Sequence, residues 1–228
     1  MWINFLSYKK HDIILYMCEE YDMSGKFITF EGNDGCGKTT ISTRIYETLK
    51  NEGYDVIYTR EPGGIRISEK IRSIILDPEH TEMDGRCEAL LYAAARRQHL
   101  VEKVVPALEA GKIVLCDRFI DSSLAYQGVA RGLGIDEVYK INEFAIDSHM
   151  PDATIFLKVS LEVGLSRISG RGEKDRLDQE SENFHVLVAK GYDEVVKRSP
   201  DRIHVIDAEP DEETVFKNTY ALVKELIK

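Results

Sequence analysis

The stretch FITFEGNDGCGKTT, Phe27 to Thr40, decides the fold. Phe27–Glu31 is an apolar run of strand length. Gly32 to Thr39 then follows the spacing G-x-x-x-x-G-K-[ST], and Thr39–Asn51 reads as an amphipathic helix that stops at Glu52-Gly53. A glycine-rich loop between a strand and a helix is a phosphate cradle. Its backbone N–H groups converge, and the helix start adds positive potential. Gly32, Asn33, Asp34, Gly35, Cys36, Gly37, Lys38, Thr39 and Thr40 are therefore the candidate ATP contacts. Lys38 supplies a point charge for the β/γ-phosphates and Thr39 a hydroxyl for Mg²⁺.

Outward from this loop, short apolar runs alternate with longer amphipathic stretches, the pattern of an α/β protein with a parallel sheet. Candidate strands are Phe27–Glu31, Val56–Thr59, Ile113–Asp117, Thr154–Val159 and Ile203–Asp207. Their unbroken apolar character suits strands covered on both faces. A helix is expected over Cys87–Ala110. Ser160 is expected to cap the stretch after the fourth strand, and Asp211 opens the last helix. The expected architecture is one domain: a five-stranded parallel sheet with helices on both faces and a short lid.

The strand Ile113–Asp117 ends in Asp117-Arg118. In an open α/β sheet such an end lies beside the phosphate loop. Asp117 is a candidate for holding metal and water, directly or through water, or for orienting the acceptor; the plainer alternative is a helix cap. Arg118 is a candidate catalytic cation. No N-K-x-D base-reading motif is present, which removes the GTPase reading.

Further clusters point to a second nucleotide. Thr59-Arg60-Glu61-Pro62-Gly63-Gly64 follows the second strand, with Arg72 beyond it. Tyr92 and Arg96 stand one helical turn apart. Asp121 to Gly128 reads DSSLAYQG. T-R-E-P-G-G, the strand-end D-R-F and S-S-x-A-Y-Q-G, in this order behind the phosphate loop, resemble the thymidylate kinases from about Lys26 to the C-terminus. The resemblance implies a P-loop kinase that phosphorylates dTMP to dTDP with ATP and Mg²⁺. It implies that Tyr92 stacks on the base, Arg96 donates to O4, and Gln127 sits near N3 with Ser123 close by. It implies that Tyr126 blocks a ribose 2′-hydroxyl and that Asp34 accepts from the 3′-hydroxyl. Arg60, Arg72 and Arg118 are candidates for the dTMP phosphate and the transferring group, where a planar fork suits phosphate oxygens. Glu61 is expected to hold one of these three arginines or a metal-bound water. The family also implies a homodimer.

Arg167 to Arg176 carries two glycines and four cations. The resemblance implies a catalytic arginine either in the phosphate loop or in this segment, the lid set around 167–178; Asn33, Asp34, Gly35 and Cys36 supply none, so the chain resembles the bacterial arrangement with the arginine in the lid. Arg171 is the first choice, with Arg167 and Arg176 behind it and as further ATP contacts. Cys36, beside Lys38, reads either as a reactive thiol whose modification blocks ATP or as a packed, inert one.

Composition sets the limits. The 228 residues are 43% hydrophobic, and 30 Lys+Arg against 40 Asp+Glu give a net charge of −10. That balance argues against nucleic-acid or anionic-membrane binding. Cys18, Cys36, Cys87 and Cys116 form no C-x-x-C pair, which suits a reduced, cytoplasmic protein. Residues 1–22 do not fit the rest. Met23 is read as the start of the single domain 23–228, with a genuine amphipathic extension as the alternative. Two rival functions remain at this stage: a deoxynucleoside kinase and a non-catalytic nucleotide-binding regulator.

Overall fold

The computed structural model describes residues 25–168 and 175–228. The proposed extension 1–22, its Met23 start, and Arg171 within the lid segment lie outside the described residues.

Five strands form one parallel sheet: β1 (Lys26–Glu31), β2 (Val56–Arg60), β3 (Ile113–Asp117), β4 (Ala153–Lys158) and β5 (Ile203–Asp207). Their order is β2-β3-β1-β4-β5. Each lies within a residue of its expected bounds. Side chains alternate between the faces of a strand, and here each face has its own core. Phe27, Val114, Cys116 and Phe156 enter one cluster. Ile28, Phe30, Leu115, Ile155 and Leu157 enter the other. This double covering is why the strands read as unbroken apolar runs rather than as alternating ones.

One face is covered by α1 (Lys38–Asn51) and α9 (Glu212–Leu226), through Ile41, Ile45, Leu49, Val215 and Val223. Asp211 caps α9 by accepting from the Thr214 N–H, as expected. The other face carries α3 (Gly85–His99), a π-helical turn Leu100–Val104, and α4 (Val105–Glu109). The expected helix Cys87–Ala110 is thus one continuous element with a bulge ahead of Pro106, which has no N–H to give. Also present are α2 (Arg66–Leu76), α5 (Ile120–Ser123), a second π-helical segment Leu124–Ala130, α6 (Ile135–Ile146), α7 (Leu161–Ile168) and α8 (Glu182–Arg198).

The sheet positions the site. Phe30 pairs with Asp117, and Asp117 with Arg60, so β2 and β3 end level and β1 runs one residue further. Chain order reverses around β1, with β3 on one side and β4 on the other. The phosphate loop therefore opens at the crevice where such sheets bind ligands. No described helix is long and apolar enough to cross a membrane.

Candidate active site

Gly37 begins α1 at φ 83°, a left-handed conformation that glycine takes without a side-chain clash. A Cβ at Gly35 would lie 2.2 Å from the Gly164 carbonyl oxygen, so the loop touches α7 backbone to backbone. No local signal in the sequence links these two glycines. Lys38 is buried. Thr39 Oγ1 donates to Asp117 Oδ2 at 2.7 Å. Threonine hydroxyl and carboxylate therefore meet across 78 residues of sequence. These are hard oxygen donors, the set Mg²⁺ takes beside phosphate and water. The helix-cap alternative for Asp117 is not what the structure draws, because Asp117 bonds back to the phosphate-loop threonine. Tyr58, which sequence reading missed, approaches the same carboxylate oxygen at 3.4 Å.

Next to Asp117, Arg118 has φ 70°, a costly value for a non-glycine residue. The surroundings enforce it. Its N–H donates to the Phe30 carbonyl at 2.9 Å, and the next N–H, of Phe119, donates to Glu31 Oε1 at 2.7 Å. The guanidinium donates to Asp34 Oδ1 at 2.5 Å, and to the Ser122 and Tyr192 hydroxyls at 3.1 Å each. Those two hydroxyls also bond to Glu31 Oε2, at 2.6 and 2.9 Å. Glu31 is thus a fully buried second anchor for Arg118. Burial, reinforced by Asp121, pushes its carboxyl above the ordinary range, although Arg118 opposes this. Burial would also raise Asp34, but Arg118 and then Lys38 outweigh it and hold that carboxyl low. Asp34 also accepts from the Tyr126 hydroxyl at 2.8 Å.

A cavity of about 340 Å³ opens from these groups. Lys38, Thr39, Thr40, Asp117 and Arg118 line one part of it. Arg60, Glu61, Arg72, Tyr92, Arg96, Ser123, Tyr126 and Gln127 line the rest, so every dTMP-side candidate borders the same space as the phosphate loop. Arg60 is held by both oxygens of Glu69, at 2.9 and 3.0 Å. Arg72 donates to the Pro62 carbonyl at 3.0 Å. Burial, and then the nearby charge of Arg60, lower its pKa. Both guanidinium groups border the cavity, and Arg60 keeps Glu69 as its partner. Burial, and then Glu88, push the Tyr92 phenol up, so it stays neutral and presents a flat ring and a hydroxyl.

Glu61 differs from expectation. It holds none of Arg60, Arg72 and Arg118. Its Oε2 accepts from Arg96 Nε at 2.8 Å, and its Oε1 lies 2.9 Å from His99 Nδ1. His99 Nε2 is in turn 2.7 Å from Thr59 Oγ1. Arg96, only 2% exposed, also donates to Ser123 and Asn142 and lies over the Phe119 ring. A buried guanidinium without a carboxylate would be costly, and Glu61 is that carboxylate.

Arg176 also departs from its expected place beside ATP. Its Nε donates to the Ile75 carbonyl at 2.7 Å and its Nη2 to Glu88 Oε2 at 2.5 Å, so it fastens its segment onto α2 and α3. Cation count in a lid sequence carries no information on where each side chain points. Arg167 does reach the phosphate loop, at the Gly35 carbonyl, though it also reaches the carbonyls of Ala208 and Glu209. Cys36 is buried under Gly32, where an added Cβ would meet its Sγ at 2.7 Å, and Lys38 Nζ is 3.8 Å away. The packed reading of Cys36 is the one its burial supports.

The chain resembles known proteins along most of its length. The family model described as thymidylate kinase matches residues 30–219. A thymidylate kinase of Geobacillus sp. (strain WCH70) is 58% identical over 208 residues, 90% of this chain and 99% of the relative. One of Oceanobacillus iheyensis is 59% identical over 207 residues, covering 90% and 92%. The crystal structure of thymidylate kinase from Ehrlichia chaffeensis superposes with a TM-score of 0.71 at 33% identity, covering 87% of this chain and 98% of that one.

Proposed function

From the premise that this chain belongs to the thymidylate kinase family, and so phosphorylates dTMP to dTDP with ATP, we propose a division of labour within this cavity. The observation that carries it is the shared wall. Lys38 and Thr39 border the same 340 Å³ space as Arg72, Tyr92 and Arg96. Two anionic substrates can therefore meet there in line.

The phosphate loop and Lys38 take the β/γ-phosphates of ATP. Arg60 and Arg72 take the dTMP phosphate. Tyr92 stacks on thymine, worth about 1–3 kcal/mol for a base on an aromatic ring. Arg96, Ser123 and Gln127 contact its edge. Arg118 stands between the two parts, fixed by Asp34 on one side and by Ser122 and Tyr192 on the other. It meets the transferring group already oriented, so little reorganisation remains at the moment of reaction. Asp34 keeps lone pairs for the 3′-hydroxyl while holding Arg118 and Tyr126. Thr39 and Asp117 hold Mg²⁺, which offsets phosphate charge when bound. Arg171 and Arg167 add cations from the lid.

The protein acts as a cytoplasmic homodimer in this reading. Leu90 on α3 and Phe144 on α6 are 56% and 91% exposed, and Ile67 and Ile74 on α2 are exposed as well. A second copy covering these faces would bury them. Sedimentation at micromolar concentration should give twice the chain mass, and Phe144→Glu should halve it. For the roles, ADP release is compared with dTMP, dUMP, thymidine and dAMP as acceptors. Thymidine as the best acceptor would overturn the assignment of Arg60 and Arg72. Arg171→Ala should lower kcat far more than it raises the dTMP KM; an unchanged kcat would move the catalytic role elsewhere.

A further inference from the structure

Gln127 and Glu88 are both buried, at 1% and 0% exposure, yet Gln127 borders the substrate cavity. Its Nε2 donates to Glu88 Oε1 at 2.8 Å. Glu88 lies on α3, one helical turn before Tyr92, and among the described residues it accepts from three. Arg131 donates to Oε1 at 3.3 Å and to Oε2 at 3.0 Å, and Arg176 donates to Oε2 at 2.5 Å. Burial would raise this carboxyl, but hydrogen bonds from Arg131, Gln127 and Arg176 outweigh it and keep it ionised. An ionised carboxylate only accepts. It can hold the NH₂ end of the Gln127 amide and cannot hold the carbonyl end.

We propose that Glu88 is a specificity-determining positioning residue: by binding the Gln127 NH₂ group it forbids the amide flip and presents the carbonyl to the base. The proposal rests on the dTMP reading above. An amide is ambiguous, since either end can face a ligand. With its carbonyl toward the cavity, Gln127 is an acceptor beside Arg96, which only donates. A base offering an N3–H donor next to an O4 acceptor matches this pair. Cytosine offers an N3 acceptor next to an N4–H₂ donor and opposes it at both positions. If the amide flipped, one of the two mismatches with cytosine would disappear. Glu88 touches no substrate in this scheme; it sets the polarity of a residue that does.

The test compares kcat/KM for dTMP and dCMP in the full-length protein and in Glu88→Gln. A glutamine at 88 can donate to the Gln127 carbonyl and so permits the flip, while its own carbonyl still accepts from Arg131 or Arg176. The expected result is a fall of at least tenfold in the dTMP:dCMP ratio, seen mainly in KM. An equal loss for both substrates, with the ratio intact, makes Glu88 merely structural and overturns the proposal. If Glu88→Gln does not fold, the wild type still decides. Its Gln127 side-chain NH₂ resonances, assigned with Gln127→Met, should shift little on adding dTMP, because they face Glu88. A shift clearly larger than that of Arg96 Nε–H, which likewise faces a buried carboxylate, would place them on the base and overturn the proposal. A wild type inactive on dTMP would remove the reading beneath it, whereas an active one whose ratio survives Glu88→Gln removes this proposal alone.

Discussion

Replacing Glu61 by glutamine tests how the base end of the cavity is held together. Glu61 is the carboxylate that bonds to the buried Arg96 among the described residues, with Nε at 2.8 Å; the other acceptors, Ser123 and Asn142, are neutral. Glutamine keeps one oxygen for Arg96 Nε but removes the charge and turns an NH₂ toward His99 Nδ1. Breaking a buried pair from one side costs about 3–5 kcal/mol. The retained hydrogen bond favours the lower figure, about 3 kcal/mol. For a domain of this size each kcal/mol moves Tm by about 2–4 °C, so the melting temperature should fall by about 6–12 °C. Loosening Arg96 weakens base binding, so the dTMP KM should rise about tenfold with kcat within about threefold, a difference of about 1.4 kcal/mol. The assays are thermal unfolding with and without dTMP, and steady-state ADP release. A Tm within 2 °C of wild type would refute the buried-pair argument. A collapse of kcat at constant KM would put Glu61 at the transferring phosphoryl group instead.

Tyr192→Phe removes the hydroxyl between Glu31 and Arg118 but keeps the ring stacked on Phe156 at 5.0 Å. Losing a hydrogen bond to a charged group costs about 1.5–3 kcal/mol, so chemical denaturation should show that loss, with kcat nearly intact because Asp34 and Ser122 still hold Arg118. Asp34 has its carboxyl lowered on folding, so its contribution is present above the unfolded pKa of about 3.9 and is lost as pH falls through the folded value. The stability gap between wild type and Asp34→Asn, measured by urea unfolding across pH, should be open at pH 7 and close in acid; a gap that widens in acid would reverse the sign of this argument. Among the described cysteines, thiol reagents should label exposed Cys87 first, with buried Cys36 and Cys116 slow whether or not ATP is present, as peptide mapping by mass would show.

The five strands, the phosphate loop and Asp117 were legible because each is a local pattern: an apolar run, a fixed spacing, a strand-end acid. The residues that hold those groups were not. Glu31 meets Tyr192 across 161 positions, and Glu88 meets Arg176 across 88. Nothing near either residue in the chain announces the partner. The T-R-E-P-G-G motif marks Glu61 as an anchor for an arginine, but that the arginine is Arg96 depends on how α3 packs beside the end of β2, 35 positions away. Arg118 was singled out by its place after Asp117, yet its left-handed backbone depends on contacts from β1 and cannot be read from its neighbours. The helices α6 and α8 escaped notice because no motif drew attention to them, although α8 supplies Tyr192.

The register of β1, β2 and β3 means that Asp117 is placed by counting. Its location relative to the phosphate loop is inherited from backbone ladder pairing, Phe30 with Asp117 and Asp117 with Arg60. Swapping one apolar side chain for another within β3 disturbs packing but leaves that count unchanged. Adding or deleting one residue there would slide the carboxylate by about 3.3 Å and turn it to the opposite face. Displacements of about 1 Å already cost about a hundredfold in rate. The molecule should therefore tolerate spelling changes along this strand and almost no change in its length.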